Sequence, residues 1–275
     1  MGEALGETAR QAQLLGAFFV VALTLIEALV QRRRGHAYDV RSALTSMFLA
    51  FGRRLVDRAP LWLTLPFASF FFAHRVVDLP DAWWTWALLL LGLELGHYTS
   101  HRAAHRVRWL WASHAVHHSS SELTLAAAFR LGWTGRVTMT LAFFAPLALF
   151  GFAPERILGV YTLTLLYQVW LHAAWVPPLG PLEGILNTPS AHRVHHANAS
   201  VYRDKNFGGM TLVFDRLFGT YAAERSDVET SYGWASPDDA RRPFFVLVQP
   251  YRELARHVRA SRSVGELGRA LFGPP

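Results

Sequence analysis

The amino-acid sequence describes an all-α integral membrane protein: an N-terminal anchor helix, four core transmembrane helices, and a helical cytosolic cap that collects histidines for a pair of metal ions. Three observations lead to this reading. Hydrophobic residues make up 52% of the 275 and charged residues only 17%, with 10 Trp and 19 Phe, a balance unlike that of an ordinary soluble domain. Several apolar runs approach the ~17 to 25 residues that cross a bilayer. Eight of the 13 histidines fall in three tight clusters: His101 and His105, then His114, His117 and His118, then His192, His195 and His196.

Residues 14–30 (LLGAFFVVALTLIEALV) form the first run, with Glu3 and Glu7 before it and Arg32, Arg33 and Arg34 after it. A cleaved signal peptide carries its positive charge first. Residues 1–36 are therefore expected as a retained anchor with its N-terminus outside. Residues 37–58 mix apolar side chains with Arg41, Arg53, Arg54 and Arg58, which suits a helix lying at the interface.

Residues 59–76 and 82–98 are joined by the turn VDLPD and read as a transmembrane hairpin, with Trp83, Trp84 and Trp86 anchoring its outer edge. A second pair, 134–152 and 156–176, is joined around Pro154 and Glu155. Counting passes from an external N-terminus puts 99–133 and 177–275 on one arginine-rich side, so all three clusters share a membrane face. The alternative is that some runs are buried core helices of a soluble protein. Residues 59–242 are expected as one transmembrane and catalytic domain. Residues 243–275, where Arg252, Arg256, Arg259 and Arg262 alternate with apolar residues, are expected as an amphipathic helix.

The formal charge is +7, and Lys205 is the only lysine. The arginines are scattered or follow apolar runs, as on flanks that meet anionic headgroups, so nucleic acid is not an expected partner. The arginine bias also hints at a GC-rich bacterial genome, hence a multi-pass protein of a bacterial inner membrane with its site facing the cytoplasm. Cysteine is absent, which excludes disulfides, iron–sulfur clusters and zinc ribbons and leaves metal binding to His, Asp, Glu or Asn.

Imidazole is the commonest neutral metal ligand. His101 and His105 in HRAAH lie four apart and project from one helix face. HAVHH and HRVHH repeat a three-and-four spacing, so each cluster is expected as one stripe of ligands. Three converging helix ends would supply eight imidazoles, enough for two ions with open positions. Packing all of them as structural residues would require partners for many buried polar rings, at about 1–3 kcal/mol for each left unsatisfied.

HRAAH, HAVHHSS and HRVHH, followed by DKNFGGMTLVFDRLFGTY, resemble the membrane-bound fatty acid hydroxylase and sterol desaturase superfamily from about Glu94 to Tyr221, and the terminal LFGPP resembles a family ending. The resemblance implies a di-iron centre on a cytosolic cap above four transmembrane helices, using O2 to hydroxylate or desaturate a lipid. It carries over to all eight clustered histidines and adds His172 in QVWLHAAW, which otherwise would cap helix carbonyls. His97 stands where the family usually has an aromatic and is expected beside the ligands. Glu94 stands where the family usually has an aspartate; it would accept a ring N–H and set a tautomer, or else be an exposed helix carboxylate. Asn206 and Asp204 would orient ligands or water, and Asp215 would pair with an arginine.

An unactivated alkyl C–H bond offers neither acid nor electrophile, so this chemistry needs a metal and O2. Two iron ions are the expected cofactor, with zinc a possible occupant of purified protein and O2 the co-substrate. No GxGxxG follows a strand, so electrons are expected from a ferredoxin or cytochrome type donor that meets Arg102, Arg106, Arg108, Arg193 and Arg203, although headgroup contacts explain these arginines equally well. A lipid from the bilayer is the expected substrate. The alternatives are a desaturase on the same site, a zinc-dependent membrane lipid hydrolase, which needs only about three protein ligands, and a metal-storing sensor without turnover.

Overall fold

A computed structural model describes residues 2–56, 67–135 and 141–275. The principal helices are α1 (Gly2–Arg33), α2 (Val40–Val56), α3 (Trp83–Arg106), α4 (Arg108–His114), α5 (Leu141–Leu149), α6 (Pro154–Trp170), α7 (Pro189–His196), α8 (Val213–Leu217), α9 (Pro237–Ala240), α10 (Pro243–Ala260) and α11 (Val264–Phe272). Among the described residues there are no strands, only three isolated β-bridges.

Among the same residues no helix is long and apolar enough to cross a membrane, so the expected transmembrane spans are not seen as such. The sequence of each run shows why. The run 82–98 sits in α3, but that helix carries Glu94 and His97 and continues into the polar HRAAH turns. The run 156–176 is helical only to Trp170. In 134–152, α5 contains Pro146 and ends before Gly151, whose φ of 92° favours glycine. Residues 59–66 and 136–140 of these runs lie outside the described residues.

The 14–30 run lies within α1, where Glu27 is buried and accepts hydrogen bonds from the Leu125 N–H (2.9 and 3.0 Å) and the Tyr38 hydroxyl (3.3 Å). Helix α1 is thereby tied to a 3-10 segment, Leu125–Phe129. Leu89 and Leu93, one turn apart on α3, pack with Phe144 of α5 and Phe152, each such side chain contributing about 1.5–3 kcal/mol by burial. A second cluster joins Leu49 of α2 to Val116 and to Val246 and Leu247 of α10, with Trp133 and Trp234 against it.

The expected single C-terminal helix is two. Ser263 interrupts it and caps α11 by accepting the Glu266 N–H at 3.2 Å, the position serine favours. The segment docks on the cap: Arg108 donates to the carbonyls of Arg269 (3.1 Å) and Ala270 (3.0 Å), and the Arg108 N–H to Gly273 O at 2.9 Å.

Candidate metal centre

The three clusters and His172 converge into two adjoining nests of imidazoles. His101, His105, His114, His118 and His195 form the first, and His117, His172, His192 and His196 the second, with the candidate ligand atoms of each within 4.8 Å of one another. His105 and His114 are half-buried and the other seven buried. All eight residues of the sequence clusters are therefore gathered, together with His172.

The clusters do not act as single stripes. Helix α4 ends at His114, and the chain turns through a 3-10 segment, His117–Ser119, so His114 and His118 serve the first nest while His117 serves the second. On α7, His192 and His196 lie four apart and share the second nest, whereas His195, about 100° round the helix, faces the first. Pro189 opens α7, and Thr188 caps it by accepting the Ala191 N–H at 3.2 Å.

Backbone carbonyls set the tautomers. His101 Nδ1 lies 2.9 Å from Phe207 O, His195 Nδ1 2.9 Å from Lys205 O, His172 Nδ1 3.1 Å from Gln168 O and His117 Nδ1 3.3 Å from Arg130 O. A carbonyl only accepts, so each Nδ1 must carry the proton and each Nε2 turns its lone pair inward. His117 and His172 then face each other lone pair to lone pair, Nε2 to Nε2 at 3.4 Å, a repulsive arrangement that a cation between them resolves. Other Nε2 separations are 3.0 Å (His101–His114), 3.1 Å (His114–His118 and His192–His196) and 3.2 Å (His105–His118, His118–His195 and His172–His192). Nitrogens about 2.0–2.1 Å from a shared ion lie about 3 Å apart, so the residues fit two metal ions.

Burial, and then the neighbouring rings, hold His101, His105, His114, His118, His192 and His196 well below the ordinary histidine range. Burial pulls His195 down to about 4. The nests are thus neutral and able to ligate at pH 7 without first losing protons.

The expected auxiliary residues take other roles. Glu94 precedes His101 by two turns, about 10 Å along the axis. It accepts the N–H groups of Met210 (2.9 Å) and Thr211 (2.8 Å) and the Thr211 hydroxyl (3.3 Å); backbone, not a ring N–H, occupies it. Asn206 is fully buried and donates to Ala191 O (3.0 Å) and Ala222 O (2.8 Å) while accepting the Ala222 N–H (2.9 Å). It orients ligands through the main chain: Asp204 (φ 59°) and Asn206 (φ 56°) bracket Lys205 in left-handed conformations that Asp and Asn tolerate best after glycine. This bend presents the Lys205 and Phe207 carbonyls to His195 and His101. Asp215, expected on an arginine, instead accepts the N–H groups of Phe207 and Gly208 (both 2.8 Å) and the Thr220 hydroxyl (2.7 Å).

Three residues unremarked in the sequence complete the frame. Asn187 donates to the carbonyls of Gly208 (2.7 Å) and Gly209 (3.2 Å). Arg130 has no exposed surface. Its guanidinium reaches Ser42 O and Oγ, Ser46 Oγ, Ser119 Oγ and Ala240 O at 2.9–3.2 Å, while its carbonyl holds His117. Gln168 lies one turn before His172 on α6. The sequence signal for Gln168 is that spacing; Asn187 and Arg130 have none.

Of the arginines considered for a donor surface, Arg193 is buried against Glu224 (2.6 Å) and the carbonyls of Ala174 and Val176. Arg106 pairs with Asp204 at 2.8 Å, and Arg108 holds the C-terminal segment. Arg102 and Arg203 are exposed.

Comparison with known proteins matches residues 86–220 to the fatty acid hydroxylase family. Alkylglycerol monooxygenase from Xenopus tropicalis is 35% identical over 237 residues, covering 84% of this chain and 52% of the relative. The human alkylglycerol monooxygenase is 41% identical over 175 residues, covering 63% and 38%. An ornithine lipid hydroxylase from Rhizobium tropici is 31% identical over 145 residues, covering 52% and 44%. The chain thus spans about half or less of the length of these relatives. No solved structure gives a significant match.

Proposed function

Because the chain belongs to the fatty acid hydroxylase superfamily, we propose that it is an O2-dependent oxygenase that holds two iron ions and hydroxylates a C–H bond of a membrane lipid with electrons from an external donor. The observation that carries this reading is the pair of imidazole nests, five ligands and four, in which His101, His117, His172 and His195 turn their Nε2 lone pairs inward. A catalytic zinc typically takes three protein ligands, so this donor set argues against the hydrolase and favours ions that accept more nitrogens. Hydroxylation is preferred to desaturation because the named relatives are monooxygenases and a hydroxylase.

When bound, the metals supply O2 activation: one oxygen atom enters the C–H bond and the other leaves as water, with two electrons and two protons consumed. The chain's own contribution is to gather nine rings, seven of them buried, and to fix the tautomers of His101, His117, His172 and His195 by main-chain carbonyls. A bilayer setting is supported by the apolar side chains left uncovered on α1, α3 and α6, among them Phe18, Leu25, Leu91, Leu95, Leu163 and Leu166. A small acidic redox protein meeting Arg102 and Arg203 is the proposed donor, and the cytoplasmic face of a bacterial inner membrane the proposed location.

The test is lipid mass spectrometry of cells with and without the chain, combined with metal analysis. The reading expects two ions per chain and an O2-dependent gain of one oxygen in a lipid. Loss of two hydrogens would indicate desaturation instead. Oxygen-independent release of a fatty acid, or tight metal binding without lipid turnover, would overturn it.

A further inference from the structure

Helix α2 is inverted for a helix on a protein surface in water. Its buried side carries Ser42, Thr45, Ser46 and Leu49, and the interior uses the polar groups there. Ser42 and Ser46 receive the Arg130 guanidinium at 2.9–3.2 Å, and the Thr45 hydroxyl donates to Arg241 O at 2.7 Å. The opposite side presents Leu44, Phe48, Phe51 and Leu55, spaced four, three and four apart and 41–64% exposed. The stripe continues onto α10, where Phe244 meets Phe48 edge-on with ring centroids 5.4 Å apart and Val248 follows one turn later, both exposed. Along the same side of α10, Arg252 and Arg259 follow Val248 at helical spacing with Arg256 beside them, and all three are exposed. Arg256 lies 3.4 Å from Glu253, the only carboxylate that the sequences of the two helices contain.

We propose that α2 and α10 form a docking face for an anionic bilayer surface, with the apolar stripe at the acyl boundary and Arg252, Arg256 and Arg259 on lipid phosphates. This rests on the bilayer setting above, which draws on α1, α3 and α6 and carries no preference among headgroups. A contiguous apolar stripe turned outward, while serine and threonine are turned inward, is the arrangement of a helix whose outer neighbour is lipid. Arginines at one end of such a stripe keep their stems along apolar surface and hold their guanidinium groups at headgroup level, where each gains from negative lipid charge. A second copy of the chain, joined through this same face by a two-fold axis, would cover the stripe but bring only its own Glu253 to meet three arginines. An acidic protein would match the arginines and leave the stripe of α2 uncovered.

The chain has no cysteine, so Phe51→Cys gives one attachment point for a bimane fluorophore, and Leu166→Cys gives another on α6. The test places the full chain, metal-loaded, in phosphatidylcholine vesicles that contain phosphatidylglycerol, with bromine on the acyl chains of one lipid or the other. Bromine quenches only at contact, so the label at position 51 reads both its place in the bilayer and the lipid beside it. Both labels should be quenched, and at position 51 phosphatidylglycerol should be enriched about three- to tenfold over phosphatidylcholine at low salt. High salt should reduce the enrichment. Arg252→Gln, Arg256→Gln and Arg259→Gln together should bring it near unity, whereas lysine at the same three positions should keep most of it. An unquenched position 51 beside a quenched position 166, no enrichment in the protein with its arginines intact, or enrichment that survives the glutamine substitutions overturns the proposal. If the glutamine variant loses metal, the salt titration decides, and an enrichment indifferent to salt overturns the proposal. Absence of quenching at both positions would sink the bilayer setting itself.

Discussion

Replacing Asn206 with alanine should loosen the first imidazole nest although its side chain touches no histidine. The amide makes three buried hydrogen bonds, to Ala191 O, Ala222 O and the Ala222 N–H. At about 1 kcal/mol each, with about 1 kcal/mol more for alanine held at positive φ, their loss destabilises the fold by about 4 kcal/mol. The bend that aims the Lys205 and Phe207 carbonyls would relax, freeing His195 and His101 to take other tautomers. Urea unfolding followed by tryptophan fluorescence, with metal analysis of the folded fraction, should show a lower midpoint and a stoichiometry falling from two ions toward one. Asn206→Gly keeps the left-handed conformation and should recover only the backbone share, about 1 kcal/mol. An Asn206→Ala protein within about 1 kcal/mol of wild type, still holding two ions, would refute the tethering role.

Three further outcomes are expected. His172→Ala removes one of four ligands and should release one ion at a chelator concentration that leaves His101→Ala, with four of five ligands remaining in its nest, fully loaded; equal release from both would contradict the division into nests. Arg130→Met strands the hydroxyls and carbonyls that the guanidinium now satisfies and should cost about 2–4 kcal/mol in urea unfolding; Arg130→Lys should not recover it, because an ammonium offers three donors where the guanidinium offers five. For the metal-free protein, the folded-state pKa of His195 is about 4 against 6.5 for the free side chain, and the other nest histidines named above are shifted the same way. The unfolded chain therefore binds more protons between these values, so stability is full above pH 6.5 and lost as the pH falls toward 4; a urea midpoint that does not move between pH 7 and 5 would contradict it.

The nest histidines were legible because their spacing is a covalent property: residues four apart on a helix meet whatever surrounds them. Their partition was not, since it depends on where α4 stops. Nothing in HAVHH announces that the helix ends at His114 and sends His117 to the other nest. Glu94 and Asp215 depart from expectation for a related reason. A carboxylate near a histidine or an arginine suggests an ion pair, yet both are consumed by N–H groups of the 207–211 loop, whose path no local pattern reveals. Asn206 and Asp204 attract attention by their side chains, yet both also act through a left-handed φ that the sequence does not display. The apolar runs show another limit: hydropathy marks 134–152 as continuous, but α5, with Pro146 inside it, ends at Leu149, just before Gly151.

His117 and His118 are neighbours in the chain but belong to opposite nests, and the same is true of His195 and His196. Each pair is joined by one planar peptide unit, which does not stretch. The two nests are therefore stitched together at two points, and their separation is a dimension of the polypeptide.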